Sequence, residues 1–134
     1  MDRMTQRLKD AQSAAAALLA ALDIPSPSDL ERDGTIQRFE FTYEAVWKAG
    51  QAYLESHEGL QAPSPRAVFR SLGKVGLLAE AESLLALEMS DDRNRTVHTY
   101  IEAVARQIRE KLPGYASLLQ AITARIQERL TSIS

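Results

Sequence analysis

The chain is predicted to be all-α, an antiparallel up-and-down bundle of four long helices with shorter ones between them. Three observations carry this. Apolar residues recur at three- and four-residue steps along most of the 134 positions. No stretch alternates with period two, and neither Asn-Gly nor Asp-Gly appears as a hairpin signal. Finally, 45% of residues are apolar and 25% charged, the balance of a globular protein rather than a disordered or fibrous one. A chain near this length buries roughly 68–70% of its unfolded surface, so one core suffices and residues 1–134 are expected to form a single domain.

The first helix is expected from about residue 2 to 22, where Met4, Leu8, Ala11, Ala15, Leu18 and Leu22 share one side. "DIPSPSD" stops it. Ser28 and Glu31 have the spacing of a capping box, which predicts a second helix from there to about His57 with Gly59 just beyond. Its face is Ile36, Phe39, Tyr43, Val46, Trp47, Gly50 and Leu54, and Gly34 is a weak point near its start. Because it holds two of the three Phe and the single Trp, it is expected to be central, with Trp47, Phe39 and Tyr43 in the core.

"SPRAVFRSLGKVG" reads as a short third helix: Ser64 suits the N-cap, Pro65 the first turn, and Gly73 or Gly76 the left-handed exit. Residues 77–89 form an apolar helical segment. A further helix is predicted from about Asp91 to Leu112 on a stripe of Val97, Ile101, Val104, Ile108 and Leu112, ended by Pro113 and Gly114. The last carries Tyr115, Leu118, Leu119, Ile122, Ile126 and Leu130 on its face.

Composition also limits function. A net charge of -2 speaks against unselective coating of nucleic acid, which draws its affinity from clustered Lys and Arg. With no cysteine there are no disulfides, thiolate metal sites or cysteine nucleophiles. Two histidines without a paired metal spacing predict no metal centre, the absence of phosphate-loop glycine patterns predicts no nucleotide loop of that kind, and no cofactor is expected. The N-terminal apolar stretch is far short of the ~20 residues that span a bilayer. A cytoplasmic chain without membrane attachment is expected.

"DDRNRTVHTY", residues 91–100, stands apart from its Ala/Leu-rich surroundings. On a continuous helix, Asn94 and His98 lie roughly 20–120° from the apolar stripe residues, and Arg93 and Tyr100 lie within about 20° of each other on the other flank. A guanidinium, an amide, an imidazole and a phenol would then surround one seam. A phosphate could lie there: Arg93 and Arg95 offer forked donors, Asn94 an amide, and His98 a proton exchanger near neutrality. Metal-independent RNA cleavage needs such groups, one for the 2′-hydroxyl or leaving oxygen and one for the charged phosphorane. Spacing alone is equally met by a plainer reading. Asp91 or Asp92 would be an N-cap, Arg95 solvated, His98 a boundary residue and Tyr100 packing at the core edge.

"RNRTVH", Arg93 to His98, resembles the R-N-x-x-x-H signature of the HEPN superfamily, extended by "TY" to R-x-x-x-x-H-x-Y. "GTIQRFEFTYEAVWKAGQAYLE" followed by "SPRAVFRSLGKVGLL" is similar to the substrate-binding subunit that accompanies minimal nucleotidyltransferases, itself a HEPN branch. The likeness spans roughly residues 5 to 130; one departure is "LLALEM", where members often carry a tryptophan ahead of the Arg-Asn pair. The resemblance implies a five-helix, bundle-like protomer that forms a homodimer with two motifs facing one cleft. It implies a metal-independent ribonuclease with Arg93 and His98 as catalytic positions and Asn94 as the polar third. In toxin-antitoxin versions, a separate minimal nucleotidyltransferase would add AMP to Tyr100. The alternative it allows is a subunit that binds RNA or a nucleotide substrate and performs no chemistry.

Overall fold

The computed structural model describes residues 2–98 and 101–133, and the side chains of all of these except Val97, His98 and Ile133. The helices are α1 (Arg3–Leu22), α2 (Asp29–Tyr53), α3 (Pro65–Lys74), α4 (Glu80–His98) and α5 (Glu102–Ile133). They form the expected antiparallel bundle of four long helices and a short one, and no described residue lies in a strand.

Local chemistry sets most of the boundaries. Asp2 caps α1 by accepting from the Thr5 amide at 2.7 Å. Ser28 and Glu31 form the capping box that opens α2: the Glu31 amide donates to Ser28 Oγ at 3.1 Å, and the Ser28 amide donates to Glu31 Oε1 at 2.9 Å. Gly34 interrupts nothing. The second helix leaves through one π turn, Leu54–Glu58, into Gly59, whose φ of 67° is the left-handed exit foreseen for it. Ser64 caps α3 with Pro65 in the first turn, and Gly76 (φ 78°) provides the exit while Gly73 stays helical.

Three boundaries differ from the sequence-based expectation, the first being that the helix predicted over 91–112 is divided between α4, which closes at His98, and α5, which opens at Glu102. No helix starts at Asp91, because 77–89 and 91–98 belong to one element, α4, which begins at Glu80. There the Ala79 amide donates to Glu82 Oε1 at 2.9 Å, an N-terminal contact of the kind that the plainer reading assigned to Asp91 or Asp92 further on. Leu77 and Leu78 lie before the helix, buried, with their amides on the Leu72 carbonyl. Nor do Pro113 and Gly114 end a helix: α5 passes through both. An interior proline costs about 3 kcal/mol. Ile108 and Leu112 before it, and Tyr115, Leu119 and Ile122 after it, are almost wholly buried on one continuous stripe. Each contributes about 1.5–3 kcal/mol by leaving water, so together they outweigh the proline.

The predicted stripe of 97–112 is consequently divided. Ile108 and Leu112 are core, Val104 is half-buried, and Ile101 is 51% exposed because it lies just before α5. In the bundle, α5 packs against α1, α2 and α4, and α3 bridges α2 and α4. The core is one cluster to which all five helices contribute. At its centre Phe39 stacks on Tyr115 (5.7 Å between ring centres), and Tyr43 leans on Phe39 and Phe69. Trp47 is an exception to the predicted core list, since it is half-buried and turns its indole N–H outward to a carboxylate. None of the described helices is long and apolar enough to cross a membrane.

Candidate functional site

The final turns of α4 carry the distinctive segment, and the other helices decide where each side chain goes. Arg93 turns toward α2. Its Nη2 donates to Glu44 Oε1 at 2.8 Å, and its guanidinium carbon sits 5.8 Å from the centre of the Tyr43 ring. Only 23% of the side chain is exposed, and Nε is buried without a hydrogen-bond partner among the described residues. Tyr43 is itself fixed: its hydroxyl donates to Ser90 Oγ at 2.8 Å, which donates to the Ala86 carbonyl. Burial raises its pKa, against the lowering effect of the Ser90 bond.

Glu44 is the hub on the α2 side. Besides Arg93 it receives the Trp47 indole N–H on Oε2 at 3.1 Å and has Lys48 Nζ at 3.8 Å. One turn earlier, Glu40 Oε2 accepts from Thr96 Oγ1 at 3.1 Å. Two carboxylates four residues apart on α2 therefore meet two donors three residues apart on α4.

Arg95 turns the other way, toward α5, where Nη1 donates to Asp92 Oδ1 at 3.0 Å and Nη2 to Gln107 Oε1 at 3.2 Å. Asp92 is no cap. It is 3% exposed and receives three donors: Arg95, Lys111 Nζ at 3.2 Å, and the Tyr115 hydroxyl at 2.5 Å. The hydrogen bond to Asp92 raises the Lys111 pKa, and burial followed by Asp92 pushes the Tyr115 phenol well up. Asp91 lies on the outer face in an ion pair with Arg66 of α3.

Of the residues singled out in the sequence, Arg93 and Arg95 are thus sent to opposite flanks of α4, and Asn94 between them is exposed. His98 closes α4; its side chain, and Tyr100 altogether, lie outside the described residues. A further set was not foreseen: Glu40, Glu44, Asp92, Lys111 and Tyr115. Glu44 has the i,i+4 spacing of an ordinary surface pair with Lys48, while its shorter contact is with Arg93, 49 positions away and beyond the reach of local spacing. The available signal was the pair of acids at 40 and 44 on the helix predicted to be central.

A guanidinium pinned on one edge by a carboxylate and beneath by a ring keeps its remaining donors in a set direction, and Asn94 adds an exposed amide beside it.

Comparison with known proteins agrees with the fold. The chain aligns at TM-score 0.82 with the crystal structure of a Thermus thermophilus protein, at 50% identity, over 87% of this chain and 98% of that one. It also aligns at TM-score 0.74 with a toxin-antitoxin crystallised with AMP-PNP, over 95% of this chain and 98% of that one. At 14% identity the second likeness is one of fold. No curated protein matches. The family profile described as "nucleotidyltransferase substrate binding protein like" matches residues 6–128, nearly the whole chain. The chain therefore belongs to the nucleotidyltransferase substrate-binding protein-like family, the HEPN branch that its motifs resemble.

Proposed function

We propose that this chain is the HEPN subunit of a two-component system, a cytoplasmic homodimer that cleaves RNA without a metal ion and is controlled by a separate minimal nucleotidyltransferase. The observation that carries the reading is the held guanidinium of Arg93 on the same helix, five residues before His98. In the reaction, His98 relays the proton of a 2′-hydroxyl to the departing 5′-oxygen. The 2′-oxygen bonds to phosphorus as the bond to the 5′-oxygen breaks, leaving a cyclic phosphate. Arg93 and Asn94 hold the phosphorane oxygens, Arg95 adds charge along the strand, and the second protomer supplies a facing copy of the motif. Adenylylation of Tyr100 by the partner joins the phenolic oxygen to the α-phosphorus of ATP and releases pyrophosphate. It places bulk and negative charge two residues from His98 and repels substrate.

A second reading is favoured by one contact. Glu44 already pairs with Arg93 at 2.8 Å and draws that guanidinium away from a phosphorane, which suits a subunit that binds a nucleotide or RNA for the nucleotidyltransferase through other donors, with no chemistry of its own. Purified protein incubated with total RNA in EDTA separates the two. The enzyme reading expects cleavage that His98→Ala and Arg93→Ala abolish; absence of cleavage by the wild type leaves the binding reading. Protein co-expressed with its nucleotidyltransferase should carry AMP on Tyr100 by mass spectrometry and lose cleavage. An unmodified Tyr100 beside an active partner removes the regulatory part.

A further inference from the structure

A cavity with a cationic lining lies away from the motif, between the end of α1, the start of α2 and the first half of α5. The helices leave it open, with a volume of about 470 Å³. Its walls have two kinds of chemistry. One is apolar: Leu22, Ile24, Pro27 and Pro113, with Ile24 left 38% exposed at the surface. The other is cationic: Arg32, Arg106 and Arg109 all line the space, against a single lining carboxylate, Glu110.

How these arginines are held matters. Arg32 pairs with Asp29 at 3.6 Å on the exposed first turn of α2. Arg109, on the opposite wall, is tied to Glu102 at 2.8 Å and lies 3.8 Å from Asp33. None of those three acids lines the cavity, so they orient the guanidinium groups without filling the space between them. The Arg32–Asp29 pair is exposed, so it is weak and yields readily to a doubly charged phosphate, which matches the guanidinium fork, whereas Arg109, only 16% exposed, stays held as a fixed positive charge on the wall. The volume is far more than a bare anion requires and lies in the range of small-molecule sites, where an apolar wall with a few directed polar groups is the common arrangement. Arginine also stacks on planar rings.

We propose that this cavity binds a nucleoside phosphate, with the base against the Ile24, Pro27 and Pro113 wall and the phosphate among Arg32, Arg106 and Arg109. The ligand is either a free nucleotide or one nucleotide of an RNA strand. The site involves no residue of α4 and is independent of the cleavage chemistry proposed above.

The test uses the full chain carrying His98→Ala, so that RNA stays intact, with AMP followed by calorimetry and a labelled single-stranded RNA by fluorescence anisotropy. Arg32→Gln/Arg106→Gln is compared with Arg3→Gln/Arg7→Gln, which removes the same charge at the far end of α1. Binding of AMP that weakens about tenfold in the first pair alone supports the site with a free nucleotide. If AMP does not bind, an RNA affinity that falls about tenfold in the first pair alone supports it with a strand. Equal losses in both pairs, or no change of either ligand in the first pair, overturn the proposal. Cleavage by protein with native His98 is unaffected by this outcome, so the two ideas fail separately.

Discussion

Glu44 shows how one side chain can both organise a site and compete for it. It orients Arg93 and caps the Trp47 indole, yet it also brings a negative charge to the place where a phosphate would have to sit. Removing that charge while keeping the shape should therefore favour an anionic ligand. Glu44→Gln is expected to tighten single-stranded RNA binding about threefold, because a competing anion is lost from a charge-driven contact. The same change should cost about 1 kcal/mol of stability, since the Arg93 guanidinium loses its charged partner at a half-buried position. Anisotropy titrations and urea melts measure the two effects, and weaker RNA binding with Glu44→Gln would mean that orientation of Arg93 matters more than the competition. Arg93 itself was visible in the sequence through its motif spacing. Glu44 was not, since its partner Arg93 stands 49 positions away in the chain.

At the level of the helices, glycine positions separate local preference from packing. In α2, a Cβ added at Gly34 meets nothing within 4 Å, whereas one at Gly50 would lie 3.0 Å from Val68 Cγ1 and 3.4 Å from Leu72 Cδ1, both in buried residues of α3. Gly34→Ala should stabilise by up to about 1 kcal/mol through helix preference. Gly50→Ala should destabilise by about 1–3 kcal/mol, because α3 must move away from α2. Chemical denaturation decides both, and equal effects of the two changes would refute the packing argument. The same distinction explains what could be read in advance. Ser28 with Glu31, Ser64 with Pro65, Gly59 and Gly76 act through their own backbone neighbours, and their roles were legible. The division between α4 and α5 was not. Asp92 looked like a cap but is buried among Arg95, Lys111 and Tyr115, contacts that cannot be inferred without the neighbouring helix. Pro113 looked like a stop, and only the burial on either side of it shows why the helix continues.

Across the whole molecule, acid stability has several contributors of one sign. Hydrogen bonds from the Thr5 amide to Asp2, and from the Ser28 amide to Glu31, hold those carboxyls below their ordinary pKa; the Arg125 fork, followed by the Ala79 amide, does so for Glu82. A carboxyl with a lowered folded-state pKa stabilises the fold above its unfolded value and loses that contribution as pH falls through the folded one. The thermal midpoint should therefore hold steady near neutrality and fall below about pH 4.5, the ordinary glutamate value. Glu82→Gln should make that fall shallower, and an unchanged slope would show that the Arg125 contact contributes nothing to it. The bundle was legible from periodicity, whereas the merging of the last three predicted segments into α4 and α5, and the placement of Arg93 and Arg95 on opposite flanks, required the packed helices.

The unbroken run of α5 through Pro113 also has a temporal consequence. It is the last of the helices to be synthesised, and it carries Ile108, Leu112, Tyr115, Leu119, Ile122 and Ile126, which the earlier helices bury themselves against. A nascent chain that has reached Ile101 lacks Tyr115, so Phe39 is left without the ring it stacks on. During that interval it presents sticky, half-finished helices, and holdase chaperones should recognise it until α5 arrives.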